Sequence, residues 1–259
     1  MTLFEQSHFT IFGTRCKKTK LLTRQKQKAK IISMKQAHTV LFSDVHLGSP
    51  VARAYDLLNA LKQYRFKQLI IAGDMFEDLN FKHLTSTHWE LLEHIGKLSR
   101  RDVDVVWIEG NHDGQFLELV SHMIGIPAKK EYLWEINGIK FLALHGHQFD
   151  NFLSGNPYLG RALAELYSFL QRTISSTFFN MFYAKIADRW QRLTEQVANR
   201  ALRYARHKWR DVVICGHTHF TYMLKQDNIR HYNLGSWAVK PSHLLVIGDD
   251  GGITLEETL

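Results

Sequence analysis

Five short clusters of oxygen and imidazole donors punctuate the sequence: Ser43-Asp44-Val45-His46, Gly73-Asp74, Gly110-Asn111-His112-Asp113, His145-Gly146-His147 and His217-Thr218-His219. Singly, each reads as a turn, because Asp and Asn commonly follow strands and an isolated histidine is usually a satisfied core or surface residue. Together they read differently. Three aspartates and six histidines in one cleft would suffer carboxylate repulsion and desolvation unless a cation neutralised them. The D-x-H and H-x-H spacings place residues i and i+2 on the same side of an extended or turning backbone. Mixed carboxylate, amide-oxygen and imidazole donors suit manganese, iron or zinc. With Cys16 and Cys215 as the only cysteines, an all-thiolate zinc site is excluded. Some seven donors exceed what one ion takes, whereas two cations about 3.5–4 Å apart, bridged by a shared carboxylate, would use them all.

Each cluster follows directly on an apolar run. The segments 39–42 (TVLF), 68–72 (QLIIA), 103–108 (VDVVWI), 139–144 (IKFLAL) and 211–216 (DVVICG) are short and continuously apolar or β-rich. That is the pattern of strands buried on both faces. Between them, 51–65 (Val51, Ala54, Leu57, Leu58, Leu61), 86–98 (Trp89, Leu92, Ile95) and 115–124 follow helical spacing. Strand and helix in alternation predict an α/β layer architecture. In open α/β sheets the carboxyl ends of the strands form the ligand crevice, so the five clusters are expected to converge there. Residues 151–210 break the rhythm, with many aromatics followed by arginines, and predict two or three inserted helices. The chain closes with β-patterned 231–239 and a hairpin over 243–257 turning at Asp250-Gly251.

The net charge of +8 suggests nucleic acid until it is divided along the chain. Residues 1–33 hold eight Lys/Arg against one acid, and the remainder is close to neutral. The body therefore offers no phosphate-backbone track, and no specific nucleic-acid partner is expected. The basic stretch within 1–37 reads as a solvated, disordered arm. The sharper readings are a phosphate- or membrane-binding arm, or a natural start at Met34. No run reaches the roughly 18 apolar residues of a membrane span, and two cysteines build no disulfide framework, so a cytoplasmic protein is the expectation.

In this order, SDVHLG, GDMFED, GNHDG, HGHQFD and GHTH resemble the calcineurin-like metallophosphoesterase superfamily, over a core of 38–150 plus 211–259 with 151–210 as a helical insertion. The resemblance implies an α/β fold, a four-layer α-β-β-α sandwich with an inserted helical cap. It also implies two divalent metal ions, manganese before iron or zinc. By motif, Asp44, His46, Asp74 and His219 would hold one ion; Asp74, Asn111, His145 and His217 would hold the other. His112 would face the substrate with Asp113 orienting its ring, and hydroxide charged by the cations would attack phosphorus in line. Gly73, Gly110 and Gly216 are expected where backbone must approach the cleft closely. Glu77 and Asp78 read either as partners orienting a histidine ligand or as an exposed turn. His147 and Asp150 read either as substrate contacts or as solvated residues. Asn233 and Ser236 are expected beneath the site, without a catalytic part.

Within the superfamily, SDVHLGS and GDMFE followed by a helical insertion are most similar to the bacterial UDP-2,3-diacylglucosamine pyrophosphatase group of lipid A synthesis. That similarity implies a nucleotide-lipid substrate, more broadly a phosphorylated small molecule. It also implies contact of 151–210 with the surface of the inner membrane. The chain departs from the group at His112, where its best-known members carry Arg, and at His147, where they carry Asp. The other reading is a phosphomonoesterase or phosphodiesterase acting on phosphoprotein, nucleotide or nucleic acid. Protein phosphatases open with GDxHG and read GNHE, which this chain does not. A metal-free scaffold would be expected to lose donors, and all are present. Oligomeric state has no signature in the sequence.

Overall fold

The computed structural model describes residues 34–258 except 79, 115–116, 118–120, 123–124 and 151–175, and describes 176–189 by backbone only. The basic stretch 1–33, most of the helix expected at 115–124 and the first part of the expected insertion lie outside the described residues.

The central strands form where β-branched and aliphatic residues run together. They are β2 (Thr39–Phe42), β4 (Gln68–Ala72), β5 (Asp104–Ile108), β8 (Ile139–Leu144) and β9 (Val212–Cys215), preceded or interspersed by the short β1 (Lys35–Gln36), β3 (Tyr64–Arg65) and β6 (Ala128–Lys129). β7 (Glu131–Ile136), β10 (Thr221–Gln226), β11 (Ile229–Leu234), β12 (Ser242–Ile247) and β13 (Ile253–Thr258) complete the strands among the described residues. A six-stranded sheet runs β13-β12-β2-β4-β5-β6, a five-stranded one β10-β11-β9-β8-β7, and β1 pairs with β3 apart from both. β2, β4, β5 and β6 are parallel to one another, as are β8, β9 and β11, while β7, β10, β12 and β13 pair antiparallel.

Strand alternation sorts the core into three seams. Leu41, Ile70, Ala72, Val106 and Ile108 of the first sheet meet Phe141, Ala143, Val212 and Ile214 of the second. Their neighbours Val40, Phe42, Leu69, Ile71 and Trp107 face the other way, onto Leu57, Leu58 and Leu61 of α1 (Ala54–Leu61) and Leu91 and Ile95 of α2 (Ser86–Ser99). Leu142, Leu144, Val213 and Cys215 pack outward on Ala201, Leu202 and Ala205 of α3 (Ser176–His207). Helix, sheet, sheet, helix is the four-layer sandwich expected.

The differences from expectation have local causes. α1 spans Ala54–Leu61 rather than 51–65, because Val51 is exposed and Tyr64–Arg65 pairs with Lys35–Gln36 instead of continuing the helix. Trp89 is exposed, since α2 buries His88, Leu91, Leu92 and Ile95. The inserted region contributes one described helix of 32 residues. The C-terminal part of that helix is a core layer, because Val197, Ala198, Ala201, Leu202 and Ala205 are fully buried. The hairpin forms as expected: Ile247 pairs with Ile253, and Gly251 takes a φ of +80°.

Candidate metal centre

The loops leaving β2, β4, β5, β8 and β9 do converge. The first two are laced together by backbone: the N–H groups of Val45 and His46 both donate to the Asp74 carbonyl, at 3.0 and 3.1 Å. The Asp44 side chain reaches across to the last loop, its Oδ2 accepting the His217 N–H at 3.0 Å. Asp74 Oδ1 accepts the His112 N–H at 2.8 Å. One oxygen of each aspartate is thus spent on the scaffold and the other faces inward.

The inward atoms form two overlapping groups. In the first, His46 Nε2 and His219 Nε2 are 3.1 Å apart, with Asp44 Oδ1 3.2 Å from the latter and 3.9 Å from the former. In the second, Asn111 Oδ1 lies 3.1 Å from His145 Nε2 and 2.9 Å from His217 Nδ1. Asp74 Oδ2 sits between them, 3.3 Å from His145 Nε2 and 4.0 Å from His46 Nε2.

The ring atoms that point away from this centre fix the protonation of those that point in. His145 Nδ1 donates to the Ala72 carbonyl at 2.8 Å, which turns Nε2 inward, where a bound cation would take the place of its proton. His46 Nδ1 lies 2.9 Å from Glu77 Oε2, at ion-pair distance though off hydrogen-bond alignment. His217 Nε2 is 3.0 Å from Asp150 Oδ2, which frees its Nδ1. Carbonyl or carboxylate behind, lone pair in front is how metal-ligating histidines are oriented.

Charge argues the same way. Asp44, Asp74 and His145 are buried, and Asp44 Oδ1 has no hydrogen-bond partner among the described residues. Burial alone would lower His145, but the carboxylates of Asp74 and Asp44 outweigh it and push the imidazole up to about 10. Burial would likewise raise Asp74, yet the facing imidazole of His145 holds it well below the usual carboxylate range. The cleft draws positive charge, and three groups of donors (Asp44, His46, His219; His46, Asp74, His112; Asp44, Asp74, His145) are each close enough to surround a cation. Donor type, orphaned oxygen and field all fit divalent metal.

The backbone is shaped to this end. Asp44, His46, Asp74, His217 and His219 take φ between 49° and 70°, a left-handed conformation that costs side-chain-bearing residues about 1–2 kcal/mol each. Such strain gathers at functional sites. Close approach is equally strict: a Cβ on Gly110 would lie 2.1 Å from Asp74 Oδ1, and one on Gly73 2.3 Å from His145 Nδ1.

Of the remaining expected residues, His112 stands at the rim, its ring 4.9 Å from that of His46. Its Nδ1 donates to the Glu77 carbonyl at 3.1 Å. Asp113 does not orient it. That carboxylate is fully buried and accepts the N–H groups of Met75 and Gly110, at 2.8 and 2.9 Å, tying the second loop to the third. Asp150, also buried, sets its Oδ2 3.0 Å from His217 Nε2. His147 is half-buried beside His145 and His217, and burial, then those neighbours, push it down to about 4. Glu77 is the partner of His46, whereas Asp78 faces His83 at 3.7 Å. Asn233 and Ser236 lie beneath, bonding the Gly216 and Asp44 carbonyls.

Among solved structures, the chain is similar to an archaeal phosphodiesterase (14% identity, 85% of this chain and 99% of that one, TM-score 0.46). It is also similar to a single-mutant Vps29 from Entamoeba histolytica (17%, 85% and 97%, TM-score 0.44) and to Yfce, a phosphoesterase from E. coli (17%, 85% and 97%, TM-score 0.42). No curated protein sequence matches. The calcineurin-like phosphoesterase superfamily domain matches residues 38–246, spanning all five donor loops. The chain therefore belongs to the calcineurin-like phosphoesterase superfamily.

Proposed function

We propose that the protein is a dinuclear-metal phosphoesterase in which Asp44, His46, Asp74 and His219 hold one cation and Asp74, Asn111, His145 and His217 the other. Membership of the superfamily makes it a hydrolase of phosphoester bonds. The observation that supports the two-ion reading is the position of Asp74 Oδ2 between the two donor groups. Bound cations would supply Lewis acidity, bringing the pKa of water towards neutrality and offsetting charge on the phosphoryl oxygens. The chain's own residues do the rest. His112, held by the Glu77 carbonyl, stands at the rim, where as the imidazolium it would stabilise the phosphoryl group or give its Nε2 proton to the departing oxygen. Glu77 and Asp150 keep the lone pairs of His46 and His217 turned inward.

The test is hydrolysis of bis(p-nitrophenyl) phosphate and p-nitrophenyl phosphate with manganese, with metal content measured beside it. Asp74→Asn and Asn111→Ala are expected to abolish turnover and to drop the metal content below two ions per chain. Full turnover in chelator would overturn the reading.

For the substrate, we propose a nucleotide-lipid pyrophosphate of the UDP-2,3-diacylglucosamine kind. Support comes from the SDVHLGS and GDMFED strings and the helical segment between β8 and β9. Mass spectrometry should find UMP released from that compound and not from linear DNA, cyclic nucleotide or phosphoprotein. Turnover of one of the others alone would transfer the assignment to it. Contact with a membrane surface through 151–210 belongs to the same proposal. No helix among the described residues is long and apolar enough to cross a membrane.

A further inference from the structure

The three histidines backed by a carbonyl or carboxylate are not held equally firmly. His145 leans on the Ala72 carbonyl, within β4, and the Glu77 behind His46 is fixed by its own N–H to the Leu47 carbonyl at 3.0 Å. Both supports belong to the first sheet and its loops. The support of His217 is Asp150, which closes the single 3₁₀ turn His147–Phe149. That turn is bonded within itself: Phe149 N–H to the Gly146 carbonyl, Asp150 N–H to the His147 carbonyl, and Gly146 N–H to Gln148 Oε1, each at 3.0 Å. Internal bonds leave it free to pivot as a unit at Gly146, whose φ of 112° gives it a glycine hinge. Something outside the turn must hold it.

The hold comes from α3. Arg200 Nη1 donates to the Phe149 carbonyl, a charge-assisted bond to a group that the turn itself leaves open. One helical turn further, Tyr204 sets its ring 5.6 Å from that of Phe149, the i, i+4 spacing of one helix face. Tyr204 is anchored in its turn, its hydroxyl donating to Glu131 Oε2 of β7 at 2.8 Å. Arg200 is not needed to dock the helix, because Val197, Ala198, Ala201, Leu202 and Ala205 already bury that face. Among the described residues, the bond to Phe149 is its one side-chain hydrogen bond.

We propose that Arg200 is a positioning residue of the metal centre. By pinning the Phe149 carbonyl it holds Asp150 against His217 Nε2, which keeps His217 Nδ1 turned inward, 2.9 Å from Asn111 Oδ1. The inserted helix thereby sets the grip on one cation of the two, the one assigned to Asp74, Asn111, His145 and His217. The inference rests on the two-ion reading above. Asp150 is 1% exposed, so its carboxylate has no room to follow the ring if the turn pivots.

Two measurements on the full chain test this. In chelator, the ring resonances of His217, identified by their loss in His217→Gln, should move in Arg200→Ala. They should stay in place in Arg203→Ala, which removes an exposed arginine of the same helix. With manganese, calorimetry should resolve two binding steps. One of them should weaken about tenfold in Arg200→Ala, the low end for a group behind a ligand, and recover in part in Arg200→Lys. Asp150→Asn should weaken the same step, and the double variant should be no weaker than Asp150→Asn alone, since both changes act on one ring. Unmoved His217 resonances, additive losses, or equal weakening of both steps would make Arg200 a packing residue and overturn the proposal. If the wild type takes up fewer than two ions while the His217 resonances respond as expected, the two-ion reading fails and the role of Arg200 stands.

Discussion

At the scale of single residues, the donor atoms sit in a frame with almost no slack. Methylating Gly110 would drive a Cβ into both the carboxylate and the backbone N–H of Asp74, the residue proposed to serve both ions. Gly110→Ala should cost metal at both positions, read as loss of manganese in mass spectrometry with little change in circular dichroism. Glu77→Gln is milder. It keeps the shape but weakens the hold on His46, and such changes behind a ligand typically cost about 10–100-fold in metal affinity. Titration by calorimetry checks this without any substrate. The ligand residues were legible in the sequence because each follows an apolar run by only a few positions. The partners were not: Asp113 and Asp150 are carboxylates in the same motifs, and which atom each one faces depends on loops distant in sequence meeting in space.

At the scale of elements, α3 ends in an unusual way. The Arg210 N–H returns to the Ala205 carbonyl and the Trp209 N–H to that of Arg206, with Trp209 at a φ of 56°. This is the helix stop that glycine normally occupies, here filled by an indole 83% exposed to water. Trp209→Gly should raise the unfolding free energy by about 1 kcal/mol, the penalty of a left-handed bulky residue. Chemical denaturation with an unchanged m-value would verify it. The central strands were readable from their continuous apolar runs. β7 and β10 were not, because EYLWEI and TYMLKQ lie at a sheet edge with one face towards solvent and carry polar residues that hide the period. The helices were readable by spacing, but their ends were not: nothing in Val51 or Trp89 says that neighbouring turns will leave them exposed.

For the molecule as a whole, one buried group sets a limit on the acid side. His231 in β11 is 1% exposed, neither ring nitrogen has a hydrogen-bond partner among the described residues, and burial pushes it down to about 3. An unfolded chain would bind its proton near pH 6.5. Between those values the unfolded state takes up a proton that the folded state refuses, so stability falls as pH drops from about 6.5 towards 3, and no such contribution acts above that window. His231→Leu should flatten the slope by up to about 1.4 kcal/mol per pH unit relative to wild type. Comparing both proteins in chelator removes the metal's own acid loss from the difference.

The seven proposed ligands come from both sheets: Asp44, His46, Asp74 and Asn111 follow strands of one, while His145, His217 and His219 follow strands of the other. Away from this rim the two sheets meet through an apolar seam, with Gln68 and Asp104 of one bonding the Tyr132 hydroxyl of the other. Ions bound there would act as a clasp, so their grip can be weighed by heat. At a hundredfold excess over its dissociation constant a well-suited cation should add about 2.7 kcal/mol to stability, and a melting screen across manganese, iron, zinc, magnesium and calcium would rank the candidates before any substrate is known.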